Sequence, residues 1–357
     1  MWVVGTVVVG VVVVVVSVIL SVACCRQRPA PIQTRVAIPH YIVYNPPPSQ
    51  VQVAMATPIA IAAPPVATTS SANAASSISG IDPRELVERR ELASGVRTSV
   101  FACTYRGTTV AVKSLKLPAG ALAKHRFLAE CHLLARMQSP HIVSYIGVTT
   151  PDGLDRSGML VTEYLGLGDL RNFVASVPLS ALSWRQKLEM AHDIVLGLVY
   201  LHASGVLHRN LTSRNVLVTD AVRAKLSDMS VAREMDEATM TAGIGTYRWM
   251  APEMLQDGHY ATSADMFSFG VLLSELDTHQ LPYADHLSAS GRAYTEPTVM
   301  VKAMTGEFRP TFSYACPRWF SELGAKCMAS DPQARPTAME ASYAIELELQ
   351  CLELSSA

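Results

Sequence analysis

The first 80 of the 357 residues almost lack charge: they contain three arginines, Arg26, Arg28 and Arg35, and no acidic residue. The other 26 basic residues and all 30 acidic residues follow, so residues 81–357 have a net charge of −4. A protein that coats a polyanion needs a basic surplus, so we expect no nucleic-acid partner. An apolar fraction of 49% with a total charge of −1 also excludes disorder of the whole chain.

Paired cysteines are lacking as well. The chain has seven cysteines, an odd number, with no C-x-x-C spacing and no His/Cys pattern that suits zinc. This pattern indicates free thiols in a reducing compartment, so it agrees with a cytoplasmic folded part and predicts no structural metal site.

The longest feature of the N-terminal part is an uncharged run from Trp2 to Cys25, in which 13 of 24 residues are valine. As a helix this run would be about 36 Å long, which exceeds the bilayer hydrocarbon core of about 30 Å. No basic residue precedes it, whereas Arg26 and Arg28 follow it directly. We therefore expect a transmembrane helix over residues 1–25 with the N-terminus outside. A cleaved signal peptide is the alternative, although it normally begins with basic residues.

The residues after this run have the composition of a tether. Residues 26–80 contain nine prolines and no acidic residue, and neither helical nor strand periodicity persists. The sequence thus predicts a disordered juxtamembrane linker over residues 26–85, a folded domain over 86–348 and a short tail over 349–357.

Regular patterns begin near residue 88. Ala111 and Lys113 alternate with Val110 and Val112, which predicts a strand with two different faces. Apolar residues at helical spacing then predict two helices. The first carries Phe127, Cys131 and Leu134, and the second carries Leu188, Ala191, Val195 and Leu198. A strand-rich part followed by a mainly helical part indicates an α+β protein with two lobes.

Five motifs occur in order within this domain. They are Val110-Ala-Val-Lys113 with Glu130 seventeen residues later, Thr162-Glu163-Tyr164-Leu165, His208-Arg-Asn-Leu-Thr-Ser-Arg-Asn215, Asp228-Met-Ser230, and Gly245-Thr-Tyr-Arg-Trp-Met-Ala-Pro-Glu253. With these motifs, residues 88–347 resemble a protein kinase of the tyrosine-kinase-like, serine/threonine group. The resemblance implies a bilobal kinase-like fold with a β-rich N-lobe and an α-helical C-lobe.

The resemblance also implies a site for ATP and Mg²⁺. Lys113 would contact the phosphates, Glu130 would hold the Lys113 ammonium group, and Asn215 and Asp228 would bind the metal ion. The implied nucleotide-binding residues are Gly95, Val100, Ala111, Lys113, Glu130, Thr162, Glu163, Leu165 and Leu217.

Other matching positions imply structural or regulatory roles. Thr239 and Thr241 are candidate phosphorylation sites in the activation segment, and Arg209 could pair with a phosphate there. Arg335 would form a buried ion pair with Glu253. The implied structural residues are His208, Arg209, Met229, Glu253, Asp265 and Arg335.

The phosphate-binding lid departs from the family pattern. Of the three glycine positions aligned back from Lys113, only Gly95 is glycine, since Ala93 and Thr98 occupy the others. A residue without Cβ lets the backbone approach phosphates closely, so we expect weaker nucleotide binding. Ser230 replaces the glycine that follows the metal-binding aspartate and would restrict the movement of Asp228.

Asn210 is the main departure, because the family has there the aspartate that accepts the proton of the substrate hydroxyl. An amide cannot take up a proton near neutral pH, and general-base assistance is typically worth about 10²–10⁴-fold in rate. Arg214 could replace the nearby lysine, whose position Thr212 occupies. The sequence predicts a pseudokinase that binds other kinases or signalling proteins as a scaffold or allosteric partner and retains weak ATP binding. The alternative is a serine/threonine kinase of low activity.

Overall fold

The N-lobe is built on a six-stranded sheet in a computed structural model that describes residues 80–116, 118–149, 158–229, 246–256 and 260–356. The spatial order of the strands is β1-β5-β6-β4-β3-β2, and β1 pairs with β5 in parallel while the other neighbours are antiparallel. The strands are β1 Gly80–Ile81, β2 Leu86–Ser94, β3 Thr98–Tyr105, β4 Thr108–Leu115, β5 Tyr145–Thr149 and β6 Met159–Glu163.

Strand β4 confirms the predicted alternation. Val110 and Val112 are each 1% exposed and pack with Val161 in the core of the sheet. Ala111 and Lys113 point to the opposite face, where they line a cavity between the lobes. Because side chains alternate along a strand, the core contacts of the two valines fix the direction of Lys113.

Helix α1, Ala121–Leu134, lies against the sheet and confirms the first predicted helix. Its buried residues are Phe127, Cys131 and Leu134, at the spacing that places them on one face. Glu130 lies beside this face, which brings its carboxylate to Lys113 on β4.

The C-lobe is mainly helical, which confirms the predicted two-lobe arrangement. Its helices are α2 Leu170–Ser176, α3 Trp184–Ala203, α4 Pro252–Gln256, α5 Thr262–Thr278, α6 Glu296–Met304, α7 Arg318–Cys327 and α8 Ala338–Ser356. A hairpin of β7, Val216–Val218, and β8, Ala224–Leu226, lies below the cavity. Helix α3 is the second predicted helix, and it begins with a capping box in which Ser183 and Gln186 exchange hydrogen bonds.

The folded part extends beyond the predicted boundaries at both ends. Gly80 and Ile81 pair with β5, within the predicted linker, because Ile81 is 4% exposed and joins the apolar core of the sheet. Helix α8 continues to Ser356, within the predicted tail, where Arg185 binds Glu353 at 2.9 Å.

The predicted transmembrane helix at 1–25 and most of the linker lie outside the described residues. Within the part of the chain that the structure describes, no helix combines the length and the apolar character needed to cross a membrane.

Candidate active site

A cavity of about 440 Å³ lies between the sheet and the C-lobe. This volume falls within the range of small-molecule sites, about 300–1,000 Å³. Apolar side chains from both lobes form its walls, and polar groups converge at one end. The predicted site residues that line it are Val100, Ala111, Lys113, Glu130, Thr162, Glu163, Leu165, Arg214, Asn215, Leu217 and Asp228.

Lys113 is held by two carboxylates. Its Nζ donates hydrogen bonds to Glu130 Oε1 at 2.7 Å and to Glu130 Oε2 at 3.0 Å, and it also donates to Asp228 Oδ1. Burial alone would lower the pKa of Lys113, but the charges of Asp228 and Glu130 outweigh it and raise the pKa above its ordinary value. Lys113 therefore carries a fixed positive charge at the end of the cavity.

The two carboxylates differ in their electrostatics. The Lys113 charge holds the pKa of Asp228 below its usual range, although burial opposes this shift. Burial raises the pKa of Glu130, and the negative charge of Asp228 acts in the same direction. Asp228 is thus ionised, as a metal ligand must be.

The loop at residues 208–215 is fixed from below by Asp265, which is completely buried near the start of α5. The backbone N–H of His208 donates to Asp265 Oδ2 at 2.9 Å, and that of Arg209 donates to Oδ1 at 3.0 Å. The His202 ring lies 2.9 Å from the same carboxylate. Burial lowers the pKa of His208, so this ring packs in its neutral form.

Within this loop, Asn215 Nδ2 donates to the backbone carbonyl of Asn210 at 2.7 Å. This bond leaves the Asn215 side-chain oxygen as an acceptor for a cation. Asn215 and Asp228 together suit Mg²⁺, which usually takes one or two protein oxygens and fills its other sites with water and phosphate. Among the described residues there is no cluster of three His, Cys, Asp or Glu side chains that could hold a metal ion on its own.

The lid differs from expectation at Gly95, which is not among the residues that line the cavity. Gly95 instead closes the turn between β2 and β3, where its N–H donates to the carbonyl of Thr98 at 2.8 Å. Ala93 and Thr98, at the two altered glycine positions, do line the cavity. A nucleotide bound in this cavity would therefore contact the side chains of Ala93 and Thr98.

Glu163 lines the cavity, but its carboxylate is already bound by other groups. Glu163 Oε1 accepts hydrogen bonds from Lys225 Nζ at 2.6 Å and from the Ser144 N–H at 2.7 Å. These bonds lower the pKa of Glu163 although burial opposes the shift. Lys225 on β8 is not one of the predicted site residues, because no sequence pattern indicates that it would contact Glu163.

The remaining structural positions lie below the cavity. Arg335 forms a bidentate ion pair with Glu253, at 2.5 and 2.9 Å. Met229 is 2% exposed and belongs to the same buried cluster as Leu134. The Arg209 guanidinium lies 5.9 Å from the Tyr260 ring centre. Ser230, Thr239 and Thr241 lie outside the described residues.

Sequence reasoning missed a second buried carboxylate, Glu275 on α5. It accepts hydrogen bonds from Ser213 Oγ at 2.8 Å, from Trp249 Nε1 at 3.1 Å and from Arg171 at 3.3 Å. Burial raises the pKa of Glu275 to about 7. Glu275 thus joins the 208–215 loop to the segment that follows residue 245.

The two lobes, the interlobe cavity and the Lys113–Glu130–Asp228 cluster define the architecture of a protein kinase domain. A family model described as protein tyrosine and serine/threonine kinase matches residues 86–344. The chain belongs to this family.

Several curated proteins are similar to this chain. The serine/threonine/tyrosine-protein kinase HT1 of Arabidopsis thaliana is 30% identical over 278 residues, which cover 76% of this chain and 68% of that protein. The serine/threonine-protein kinase STY17 of the same plant is 32% identical over 73% of this chain. The dual specificity testis-specific protein kinase 2 of Rattus norvegicus is 30% identical over 72% of this chain. The chain spans 44% of each of the latter two proteins.

Proposed function

We propose that this chain is a membrane-anchored pseudokinase that binds Mg-ATP weakly and acts as a scaffold or allosteric partner in signalling. One observation carries the proposal: the phosphate-side groups Lys113, Glu130 and Asp228 are assembled, while Asn210 stands in the loop where the family has a base. An amide at this position can accept a hydrogen bond but cannot remove a proton. The loss corresponds to a barrier increase of about 3–5 kcal/mol.

The cavity supports retained nucleotide binding. Val100, Ala111 and Leu217 form apolar walls for a purine, and Lys113 provides a positive charge for phosphate oxygens. Asn215 and Asp228 would hold Mg²⁺, which supplies charge neutralisation on the phosphates when it is bound. Side chains at Ala93 and Thr98 line the cavity where the family has glycine, so we propose that the affinity is low.

A serine/threonine kinase of low activity is the second candidate function. The observation that favours it is the same Lys113–Glu130–Asp228 cluster, since positioning and electrostatics supply most of the catalysis in phosphoryl transfer. The relatives HT1 and STY17 are named as protein kinases.

Phosphate transfer separates the two candidates. The full chain in detergent would be incubated with radiolabelled Mg-ATP and a generic serine/threonine acceptor, beside the Lys113→Ala variant. We expect the transfer rate of the parent to equal that of the variant within about twofold. A robust parental rate that is lost in Lys113→Ala would contradict the pseudokinase proposal and support the kinase.

Nucleotide binding has its own test. A titration with Mg-ATP up to the millimolar range should raise the melting temperature of the full chain, because a ligand that binds only the folded state stabilises it. An unchanged melting temperature at millimolar Mg-ATP would remove nucleotide binding from the proposal.

The proposed anchor is the apolar run Trp2–Cys25, and the proposed location of the kinase-like domain is the cytoplasm. Arg26 and Arg28 support this orientation through the tendency of basic residues to stay on the inner side. Carbonate extraction of membranes that carry the full chain should leave it in the membrane pellet. Its release into the soluble fraction would contradict the anchor.

The proposed partners are other kinases or signalling proteins that bind the domain at the membrane. Thr239 and Thr241 support this role, since a phosphate near Arg209 could switch the segment between two arrangements. Co-purification of a kinase with the full chain, reduced when both threonines are replaced by alanine, is the expected result.

A further inference from the structure

Helix α8 carries apolar side chains on two different faces. Its inner face contains Ala341 and Ile345, which are completely buried in the core of the C-lobe, where α8 packs against α3. A helix on the surface of a domain normally presents polar side chains on its other face. The outer face of α8 instead presents four large apolar side chains. These four, which we call the outer stripe, are Met339, Tyr343, Leu347 and Leu354.

The outer stripe forms one row along the helix. At about 100° per residue its members fall within an arc of about 80°, on the side roughly opposite Ile345. Met339, Tyr343 and Leu347 follow one another at intervals of four residues, which is the spacing of a ridge that packs into the groove of a second helix. From Met339 to Leu354 the row is about 23 Å long.

The outer stripe is open to solvent along its length. The exposed fractions range from 43% for Leu347 to 81% for Leu354. Fourteen large apolar side chains are exposed in the described part of the chain, and four of them form this row. A single exposed apolar side chain is ordinary, whereas a contiguous apolar patch marks a surface that binds another molecule.

Acidic side chains border the outer stripe on both sides. Glu346 lies on one side of the row and Glu340 on the other, and both are exposed. Helix α8 has four glutamates and no lysine, arginine or histidine. Arg185 on α3 binds Glu353 at 2.9 Å, but it also binds Glu189 at 2.9 Å, so it does not make this border basic. The complement of this surface is therefore an apolar face with basic borders.

We propose that the outer stripe binds an amphipathic helix of another protein, in which lysine or arginine residues border an apolar face. Apolar contact along the row would supply affinity, and the glutamates would select for basic borders. A partner helix of about 15 residues would cover the row. The described residues that line the interlobe cavity include none from α8, so this surface is separate from the nucleotide site.

A membrane surface and a second copy of this chain match the outer stripe less well. Anionic lipid headgroups would repel Glu340 and Glu346. Two copies that paired stripe on stripe would bring the glutamates of both helices together, and α8 has no basic residue to offset them. A helix with basic borders meets neither cost.

Two designed peptides test the charge preference. Each would be a helix of about 18 residues with the same leucine face, bordered by lysines in the basic probe and by glutamates in the acidic probe. The full chain in phosphatidylcholine nanodiscs would be titrated into each fluorescent probe, with empty discs as the blank. We expect the basic probe to bind at least about tenfold more tightly than the acidic probe. Equal affinities would overturn the proposal.

Two double variants test the place of binding. The variant Tyr343→Gln, Leu347→Gln removes the middle of the outer stripe and should weaken binding of the basic probe at least about tenfold. The control Leu179→Gln, Leu287→Gln removes two apolar side chains of similar exposure elsewhere on the C-lobe and should change this affinity by less than about twofold. An equal loss in the two variants, or no loss in the first, would overturn the proposal.

A single charge reversal keeps the apolar row intact. Glu346→Lys should weaken binding of the basic probe at least about threefold and strengthen binding of the acidic probe. Unchanged affinities for both probes would overturn the selective role of the border. Sedimentation of the parent covers the remaining occupant: paired chains that separate in Tyr343→Gln, Leu347→Gln would show that the stripe binds a second copy and would also overturn the proposal.

Discussion

The N-lobe wall of the cleft presents a lysine held by two carboxylates. The 208–215 loop, whose Arg214 and Asn215 belong to the C-lobe wall, carries an amide at Asn210, which is not among the residues that line the cavity. Both walls are rigidly supported: Glu130 and Asp228 fix Lys113, and Asp265 fixes the backbone before Asn210. The 208–215 loop is therefore as well supported as the Lys113 site. What distinguishes the loop is the neutral amide group at position 210. Buried groups that do no chemistry can therefore hold this loop in order whichever residue stands at position 210.

The largest expected effect comes from the support of the C-lobe wall. Asp265→Ala would leave the N–H groups of His208 and Arg209 without their acceptor in a fully buried place. We expect the free energy of unfolding to fall by about 3–5 kcal/mol, measured by urea unfolding. The control Glu322→Ala, which removes one partner of an exposed ion pair, should change it by less than about 0.5 kcal/mol. Similar losses in both variants would contradict the support role.

Replacement of Lys113 tests the role of the N-lobe wall in nucleotide binding. The variant Lys113→Met removes the charge that faces the phosphates, so we expect Mg-ATP to bind at least about tenfold more weakly, a loss of about 1.4 kcal/mol. The concentration of Mg-ATP that gives half of the melting-temperature shift measures this change. In a control, replacing the exposed neighbour Lys116 with methionine should change this Mg-ATP concentration by less than twofold. Equal binding by parent and Lys113→Met would contradict a nucleotide site at this wall.

The pH dependence of stability tests the raised pKa of Glu275, which supports the 208–215 loop in the C-lobe. Because burial raises the pKa of Glu275 to about 7, the folded chain binds more protons than the unfolded chain, whose glutamate titrates near 4.3. The contribution of Glu275 to the unfolding free energy is complete below about pH 4 and is lost as the pH rises through 7. Between pH 5 and 7 this titration lowers the unfolding free energy of the parent by up to about 1.4 kcal/mol per pH unit. The variant Glu275→Gln should lack this part of the decrease.

Urea unfolding at pH 5, 6 and 7 checks this difference between parent and Glu275→Gln. The buried ring of His208 titrates in both proteins, so its contribution cancels in the comparison. Parallel curves for the two proteins would contradict the raised pKa of Glu275.

The smallest expected effect concerns two glycines near the cleft. Gly168 has a φ of +74°, so Gly168→Ala should cost about 1 kcal/mol of unfolding free energy. Gly95 lacks a left-handed φ, and an added Cβ would lie 3.5 Å from the Thr98 carbonyl oxygen, an ordinary contact. Gly95→Ala should therefore cost less than about 0.5 kcal/mol. The same cost at both positions would contradict this reading of the lid.

The sequence predicted the parts of the site that depend on fixed spacing. Strand and helix periodicity placed Lys113 and Glu130 on defined faces, whereas their pairing, like that of Arg335 with Glu253, followed from the family resemblance. The contacts of Lys225 with Glu163 and of Glu275 with Ser213 join residues 62 positions apart. No local pattern encodes such pairs, since they arise only when distant segments of the chain pack in the folded protein.

The boundaries show a similar limit. Proline-rich composition predicted a linker up to residue 85, yet the single side chain of Ile81 is enough to add a short strand to the sheet. At the other end, the helix that begins at Ala338 continues past the predicted boundary at residue 348. Composition averages over a window, whereas burial is decided residue by residue.

Phosphate transfer by the Asn210→Asp variant shows whether the missing aspartate limits catalysis by this chain. The variant restores a proton acceptor in a loop that is already supported by Asp265, beside an assembled Lys113 site. We expect the initial rate of Mg-ATP-dependent transfer by Asn210→Asp to exceed that of the parent by about 10²–10⁴-fold, because this is the usual contribution of a general base. A parent that transfers phosphate as fast as Asn210→Asp would contradict the claim that the absence of an aspartate at position 210 limits phosphate transfer by this chain.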